Sequence, residues 1–426
     1  MKTNARLAAG CGFLALVLLC GACKARWDTT EDPVRDEELE QAFFSGLNSI
    51  DVPDLPEPSR LRPCCIFADE VGVGRRVPIP GYEVVNVLEL GDLGTHVYNH
   101  GALTLQRLAA EGPVVTDEKS GILYTCRGGF IDIAHVRDNA DRTLYLAAQI
   151  GRLPATGGIV PLVDEGAARR ILVYPLDAEL VRTYGIREVV TSLAEWLDFQ
   201  ASIWHEIATW YRWSATAFSE QPSAFSPEDL YSNLLGLKIA GEIVRRHDAA
   251  SEAEYDRNVS ALLADALMKL GPLPREASRF AFEYVDGIWW DSSQRVPDNQ
   301  LVRHRYLDIG PKLYPWKLLD AQPSDTLLAR QAEYLQVCAG DWTPLGLSVP
   351  EQLGGVPFRQ MATLEIRPEA KLLENGFSIP QHGHDFVTQD DFPALIEAIR
   401  TSVEQELGEG ADAPAARPGE TSRHHE

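Results

Sequence analysis

Read for its apolar period, the chain falls into a helical middle with strands on either side. Tyr82 to Leu90 runs Tyr-Glu-Val-Val-Asn-Val-Leu-Glu-Leu and reads as a strand, as do Arg170 to Tyr174, Val302 to Asp308 and Leu364 to Arg367. Helical spacing covers about residues 130–149, 189–212, 227–246, 252–270 and 276–285, and Asp391 to Leu407 adds a last helix. Ser226-Pro227-Glu228-Asp229 supplies a capping box with proline in the first helical position. Glu252 and Glu254 follow Ser251, where the helix dipole favours acids. Helices clustered between flanking short strands imply an α+β domain, predominantly helical, with a helical core.

One helical stretch has an unusual polar side. Between residues 196 and 213 the apolar positions Trp196, Leu197, Phe199, Ile203, Trp204, Ile207, Trp210 and Tyr211 fill half the circumference. Asp198, Ser202, His205 and Thr209 occupy the other half, with no lysine among them. A face so small and weakly charged suits another helix better than water, so His205 is expected to be buried or half-buried with a partner.

The two ends read differently from the middle. Residues 1–22 join Lys2 and Arg6 to an apolar run, Leu7 to Leu19, and end in Cys20-Gly21-Ala22 before Cys23. That is the layout of a signal peptide, too short for a membrane span. It resembles the bacterial lipobox, with Cys23 as the lipid (palmitate) attachment site and Cys20 standing where leucine is preferred. Lys24, in place of the aspartate that retains such proteins on the inner membrane, points to the outer membrane, facing the periplasm. Residues 23–60 are expected to be a lipid-anchored acidic linker, 61–405 a single globular domain and 406–426 a disordered tail.

Charge and cysteine content narrow the partners. A net charge of −23 repels phosphate backbones, so no nucleic-acid partner is expected. Beyond Cys23, four cysteines remain in the mature chain: Cys64, Cys65, Cys126 and Cys338. In an oxidising periplasm they permit disulfides of open connectivity, or stay as buried thiols.

Three segments carry candidate chemistry. Tyr124 to Asp141 is the densest: read as a helix from Phe130, it places Asp132, His135 and Asn139 in one sector with Asp138 beside it. The same residues would also make a solvated face paired with Arg137 and Arg142. His205-Glu206 lies on the second helix, but Thr209 breaks the His-Glu-x-x-His zinc-protease pattern. Gln381-His382-Gly383-His384-Asp385 has metal-ligand spacing in a polar loop, and His96 and His100 form a weaker pair. No Walker loop, dinucleotide-binding glycine motif or Gly-x-Ser-x-Gly elbow occurs.

Thr125 to Asp138, Trp204 to Tyr211 and Phe225 to Gly236, behind a Pro63-Cys64-Cys65 start, resemble a family of bacterial lipoproteins known only as a domain of unknown function. The resemblance implies an envelope setting and supplies no activity.

Three functions follow from the residues. The first is a metal-dependent hydrolase of an envelope substrate, with zinc or another divalent ion on His135, His205 and Asp132 or Asp138, and Glu206 as general base. The second makes Cys126, next to Gly128-Gly129 and a helix start, a hydrolytic nucleophile. The third is a non-catalytic outer-membrane binding or assembly lipoprotein, with Trp289-Trp290 a candidate contact.

Overall fold

The computed structural model describes residues 50–59, 61–62, 84–100, 117–214, 220–296, 299–318, 338, 343–380 and 383–407. Residues 1–22, Cys23, Cys64, Cys65, His382 and the tail beyond residue 407 lie outside them.

The chain begins with strands β1 (Val84–Val87), β2 (Ser120–Thr125) and β3 (Gly129–Asp132), then helix α1 (Ile133–Arg152). A hairpin, β4 (Gly158–Leu162) and β5 (Ala167–Val173), leads into five helices. These are α2 (Ala178–Tyr184), α3 (Ile186–Trp210), α4 (Asp229–Arg246), α5 (Glu252–Leu270) and α6 (Arg275–Val285). Short strands follow: β6 (Trp290–Val296), β7 (Asn299–Val302), β8 (Lys312–Leu313), β9 (Leu347–Ser348), β10 (Gln352–Leu353) and β11 (Val356–Pro357). The chain ends with β12 (Ala362–Pro368), α7 (Ala370–Glu374), β13 (Val387–Thr388) and α8 (Phe392–Leu407). The fold is a helix-rich α+β domain.

Helices α1, α3 and α4 pack on one another and form the centre. β1 pairs parallel to β2, which pairs antiparallel to β3, and β3 runs straight into α1. A four-stranded antiparallel sheet, ordered β13-β12-β5-β4, packs against α1 and α3. Its Arg170 and Glu365 are register partners and form a buried 2.7 Å ion pair. No helix among the described residues is long and apolar enough to cross a membrane.

The polar face of α3 lies against protein. Asp198 and Ser202 are buried, and both bond Arg142 of α1. Trp204 is fully buried, and its indole N–H donates to Glu165 O at 3.1 Å, which satisfies the polar end of a large apolar ring.

Two expectations change. The strand read from Val302 to Asp308 ends at Val302; beyond it Tyr306 N–H donates to Phe225 O and the Arg305 guanidinium reaches Ala224 O, which turns the chain inward. Residues 50–59 and 61–62, read mostly as linker, pack on the domain. Tyr98 Oη donates to Pro56 O at 2.7 Å, and Val163 N–H donates to Glu57 Oε1 at 2.6 Å. Arg62 is 1% exposed, in ion pairs with Glu118, Asp138 and Asp141.

Candidate metal centre

The junction of β3 and α1 fixes the first two site residues. Asp132 is the N-cap of α1, in extended conformation, and its Oδ1 accepts from Ala134 N–H at 2.7 Å and His135 N–H at 3.3 Å. A strand-to-helix turn of this kind needs a short side-chain acceptor, and aspartate supplies it. Asp132 is therefore a cap, and the helix begins later than its apolar period suggests. The cap leaves His135 in the first turn, pointing across to α4.

Helix α4 brings the third residue. Asp229 opens that helix, and its Oδ2 accepts from Ser226 N–H at 3.2 Å. Its Oδ1 stands 3.2 Å from His135 Nε2. The two helices come this close because residue 236 is glycine: an added Cβ would lie 2.1 Å from Val136 O. Asp132, His135 and Asp229 are all buried, and one ligand atom from each lies within 4.8 Å of the others.

These residues fit a divalent cation. Donors about 2.1 Å from a tetrahedral ion stand about 3.4 Å apart, close to the His135–Asp229 separation. Two carboxylates and an imidazole suit zinc or manganese better than a soft ion. Negative charge also accumulates here. Glu228 is 1% exposed, and its Oε1 has no hydrogen-bond partner among the described residues. Burial, with the Asp132 carboxylate nearby, pushes Glu228 up to about 7 against the bond from Ser226.

A chain of hydrogen bonds sets the histidine's tautomer. The Arg142 guanidinium can only donate, and its Nη2 meets Asn139 Oδ1 at 2.6 Å, so that atom is the amide oxygen. Asn139 Nδ2 then donates to His135 O at 2.8 Å and to Asn233 Oδ1 at 2.6 Å. Asn233 Oδ1 is thereby an acceptor, and His135 Nδ1 at 2.9 Å must carry the proton. With its Nδ1 protonated, a neutral His135 presents the Nε2 lone pair towards Asp229, the arrangement a metal ligand needs.

Beside this cluster opens a small cleft, lined among others by His135, Asn139, Arg142, His205 and Asn233. The His135 and His205 rings meet edge to face, centroids 6.3 Å apart. His205 Nδ1 faces Glu165 Oε1 at 3.7 Å. Burial pulls the His205 imidazole down, but the Glu165 carboxylate, helped by Glu206, outweighs it and leaves the histidine above its usual range. Burial would raise Glu165; Arg169, His205 and Arg142 more than compensate and hold it at about 2.

The other sequence candidates go elsewhere. Asp138 lines the cleft but is committed to Arg62, at 2.7 Å, and burial raises it to about 6 against that pairing. It is not part of the three-residue cluster, and neither is His205; the third member of the cluster is Asp229. Glu206 is 2% exposed and accepts from Phe225 N–H at 2.6 Å, so it braces the chain ahead of α4 and is not among the cleft residues. Cys126 is joined to Cys338 in a disulfide. Its sulfur has no free thiolate, which removes the cysteine-nucleophile arrangement. His96 is fully buried, 2.9 Å from Asp141 in the ion network around Arg62. His100 is buried too, and His384 is exposed, stacked on Phe386. Trp289 and Trp290 are core residues, 3% and 0% exposed, packed around Phe130.

Spacing alone could not have paired Asp229 and Asn233 with His135. A usable signal was present, because Asp229 and Asn233 are one turn apart on a single helix face.

The chain is thus a helix-rich α+β domain with a buried two-carboxylate, one-histidine cluster, at the crossing of two central helices, that could hold a metal ion. A family model described as "Protein of unknown function (DUF4056)" matches residues 52–318, and the chain belongs to that family. The match begins within the segment that packs beside Tyr98 and Val163. No curated protein and no solved structure matches the chain.

Proposed function

We propose that this protein is a divalent-metal-dependent hydrolase of the bacterial cell envelope, held at the outer membrane by a lipid on Cys23. The observation that carries the reading is the cluster of Asp132, His135 and Asp229, with ligand atoms within 4.8 Å of one another and the His135 tautomer set for ligation. When bound, the ion would polarise the scissile group and ease loss of a proton from water. The chain's own residues supply the rest. His205 Nε2 bonds no described residue and is not sealed from water, while Nδ1 is turned to Glu165. In this reading His205 takes the proton of the attacking water and returns it to the leaving group, and Glu165 keeps the ring oriented. This replaces Glu206 as general base. The location rests on the signal-like N-terminus and the lipobox resemblance.

Equilibrium dialysis of the purified chain against Zn²⁺ or Mn²⁺ tests the reading. One ion per chain is expected in the wild type and none in Asp229→Ala or His135→Ala. A correctly folded wild type that takes up no ion defeats it. Loss of palmitate labelling in Cys23→Ala tests the anchor.

A further inference from the structure

The cleft holds two hydrogen-bond donors that the cluster does not use. Arg142 is fixed on one side by Asp198, through Nε, and through Nη2 by Asn139 at 2.6 Å and Ser202 at 2.9 Å. Its Nη1 bonds no described residue and is not sealed from water, and the open space Arg142 borders is the cleft. Asn233 repeats the pattern. Its Oδ1 accepts from both His135 and Asn139, whereas its Nδ2 has no bond among the described residues although the residue is 1% exposed. It too is not sealed from water and lines the same cleft.

A buried amide and a guanidinium arm left unbonded are costly unless something accepts from them. Both are donor-only, and they come from two helices, α1 and α4, whose relative position is fixed by the Gly236 crossing. Water can satisfy them in the resting state, but the pairing of one charged guanidinium N–H₂ arm with a neutral N–H₂ group matches an anionic oxygen acceptor. The overall charge of −23 works against anions in general, so a cationic donor retained inside the cleft acts on a group once it has entered.

We infer that Arg142 Nη1 and Asn233 Nδ2 form an oxyanion subsite that holds a phosphate or carboxylate group of the substrate beside His135 and His205. The inference rests on the hydrolase reading for its purpose, since it names the class of molecule the cluster would act on. Its geometry stands apart from any ion.

Isothermal titration of the purified full chain with inorganic phosphate and with acetate tests it, in Zn²⁺- or Mn²⁺-containing and in metal-free buffer. The informative variant is Asn233→Asp. It keeps the oxygen that accepts from His135 and Asn139 but replaces Nδ2 by a negative oxygen. Phosphate or acetate binding should weaken at least tenfold, while affinity for the divalent ion is kept or increased. Arg142→Lys is the second variant: one ammonium can still pair Asp198 but cannot also reach the cleft, and anion binding should again weaken tenfold. Anion affinity unchanged in both variants overturns the subsite, as does a wild type that binds a divalent ion but neither anion at about 10 mM. A wild type that binds no ion sinks the hydrolase reading. In that case metal-free binding of either anion, lost in Asn233→Asp, still supports the subsite.

Discussion

Replacing Gly236 by alanine should damage the fold and the metal centre together. The new Cβ would stand 2.1 Å from Val136 O, 2.8 Å from Val136 C and 2.9 Å from its Cα. An ordinary carbon–oxygen contact is about 3.3 Å, so the overlap is roughly 1 Å. The atoms in the way are backbone and no rotamer change removes them, so α1 and α4 must part. Overpacking of a core costs about 1–3 kcal/mol, and a backbone clash belongs at the upper end. Alanine returns up to about 1 kcal/mol in helix propensity. The net loss is about 2 kcal/mol, or a fall in Tm of about 3 °C for a domain of this size. The same separation would lengthen the 3.2 Å approach of His135 Nε2 to Asp229 Oδ1, because the two side chains sit on the two helices that part. A shift of about 1 Å is enough to spoil a coordination site, so affinity for the divalent ion should drop at least tenfold. Differential scanning calorimetry and competition with a fluorescent chelator would measure both, with Gly310→Ala, which has nothing within 4 Å of its added Cβ, as control. A Gly236→Ala protein that melts lower yet binds the ion as tightly as wild type refutes the link between the helix crossing and the site.

Two further outcomes follow from groups away from the cleft, one partly buried and one a buried disulfide. Asp256 is pushed up to about 7 by burial and by the nearby Asp141, Glu252 and Glu118 carboxylates, against a hydrogen bond from Tyr98 N–H. Its folded value is above the unfolded one of about 3.9, so its contribution is intact at low pH and is lost as pH rises from about 4 to 7. Asp256→Asn, whose amide oxygen can still accept from Tyr98, should gain in Tm on the wild type across that window and keep a constant lead above it; a difference independent of pH refutes the assignment. The Cys126–Cys338 bridge spans a sequence separation of 212, and loop entropy on that scale is worth at most about 5 kcal/mol. Urea unfolding of a Cys126→Ser/Cys338→Ser double variant should show a loss of about 2–5 kcal/mol, and a loss under about 1 kcal/mol would contradict a structural role for the bridge.

Much of the helical frame was legible because period and end signals agreed. Glu252 to Leu270 matches α5 end for end, where Ser251 caps Glu254 N–H and Gly271 closes the helix in the left-handed conformation. The helix read from residue 130 begins in fact at Ile133, because Phe130 to Asp132 pair with β2 and only the Asp132 cap turns the chain. Apolar runs of four residues look alike in a buried strand and a helix turn, so the period could not separate them. The strand Ser120–Thr125 was missed because it is buried almost throughout and shows no alternation, and Gly158–Leu162 because Pro161 interrupts its pattern.

The site was half legible for a related reason. His135 and Asp132 are neighbours in sequence, and short-range geometry alone places them in one corner. His205 meets His135 across a helix packing that its lysine-free polar face anticipated, yet the partner that orients it, Glu165, comes from the turn between β4 and β5. Asp229 was read as the acid of a capping box behind Ser226, and half of that box is present: Ser226 N–H donates to its Oδ2, although α4 begins only at Asp229 and its N-cap, Glu228, makes no side-chain cap bond. Capping uses one oxygen of a carboxylate and leaves the other for a second task, here the approach to His135. Asp132 divides in the same way, one oxygen holding the start of α1 while the residue joins the cluster. The N-terminal ends of α1 and α4 thus bring two carboxylates, the Asp132 cap and Asp229 in the first turn, close to one imidazole. The macrodipoles of α1 and α4 favour the negative charge that would otherwise be expensive to bury there. The apolar period alone did not show the Asp132 cap, and it is the close crossing at Gly236 that brings the two carboxylates together at His135.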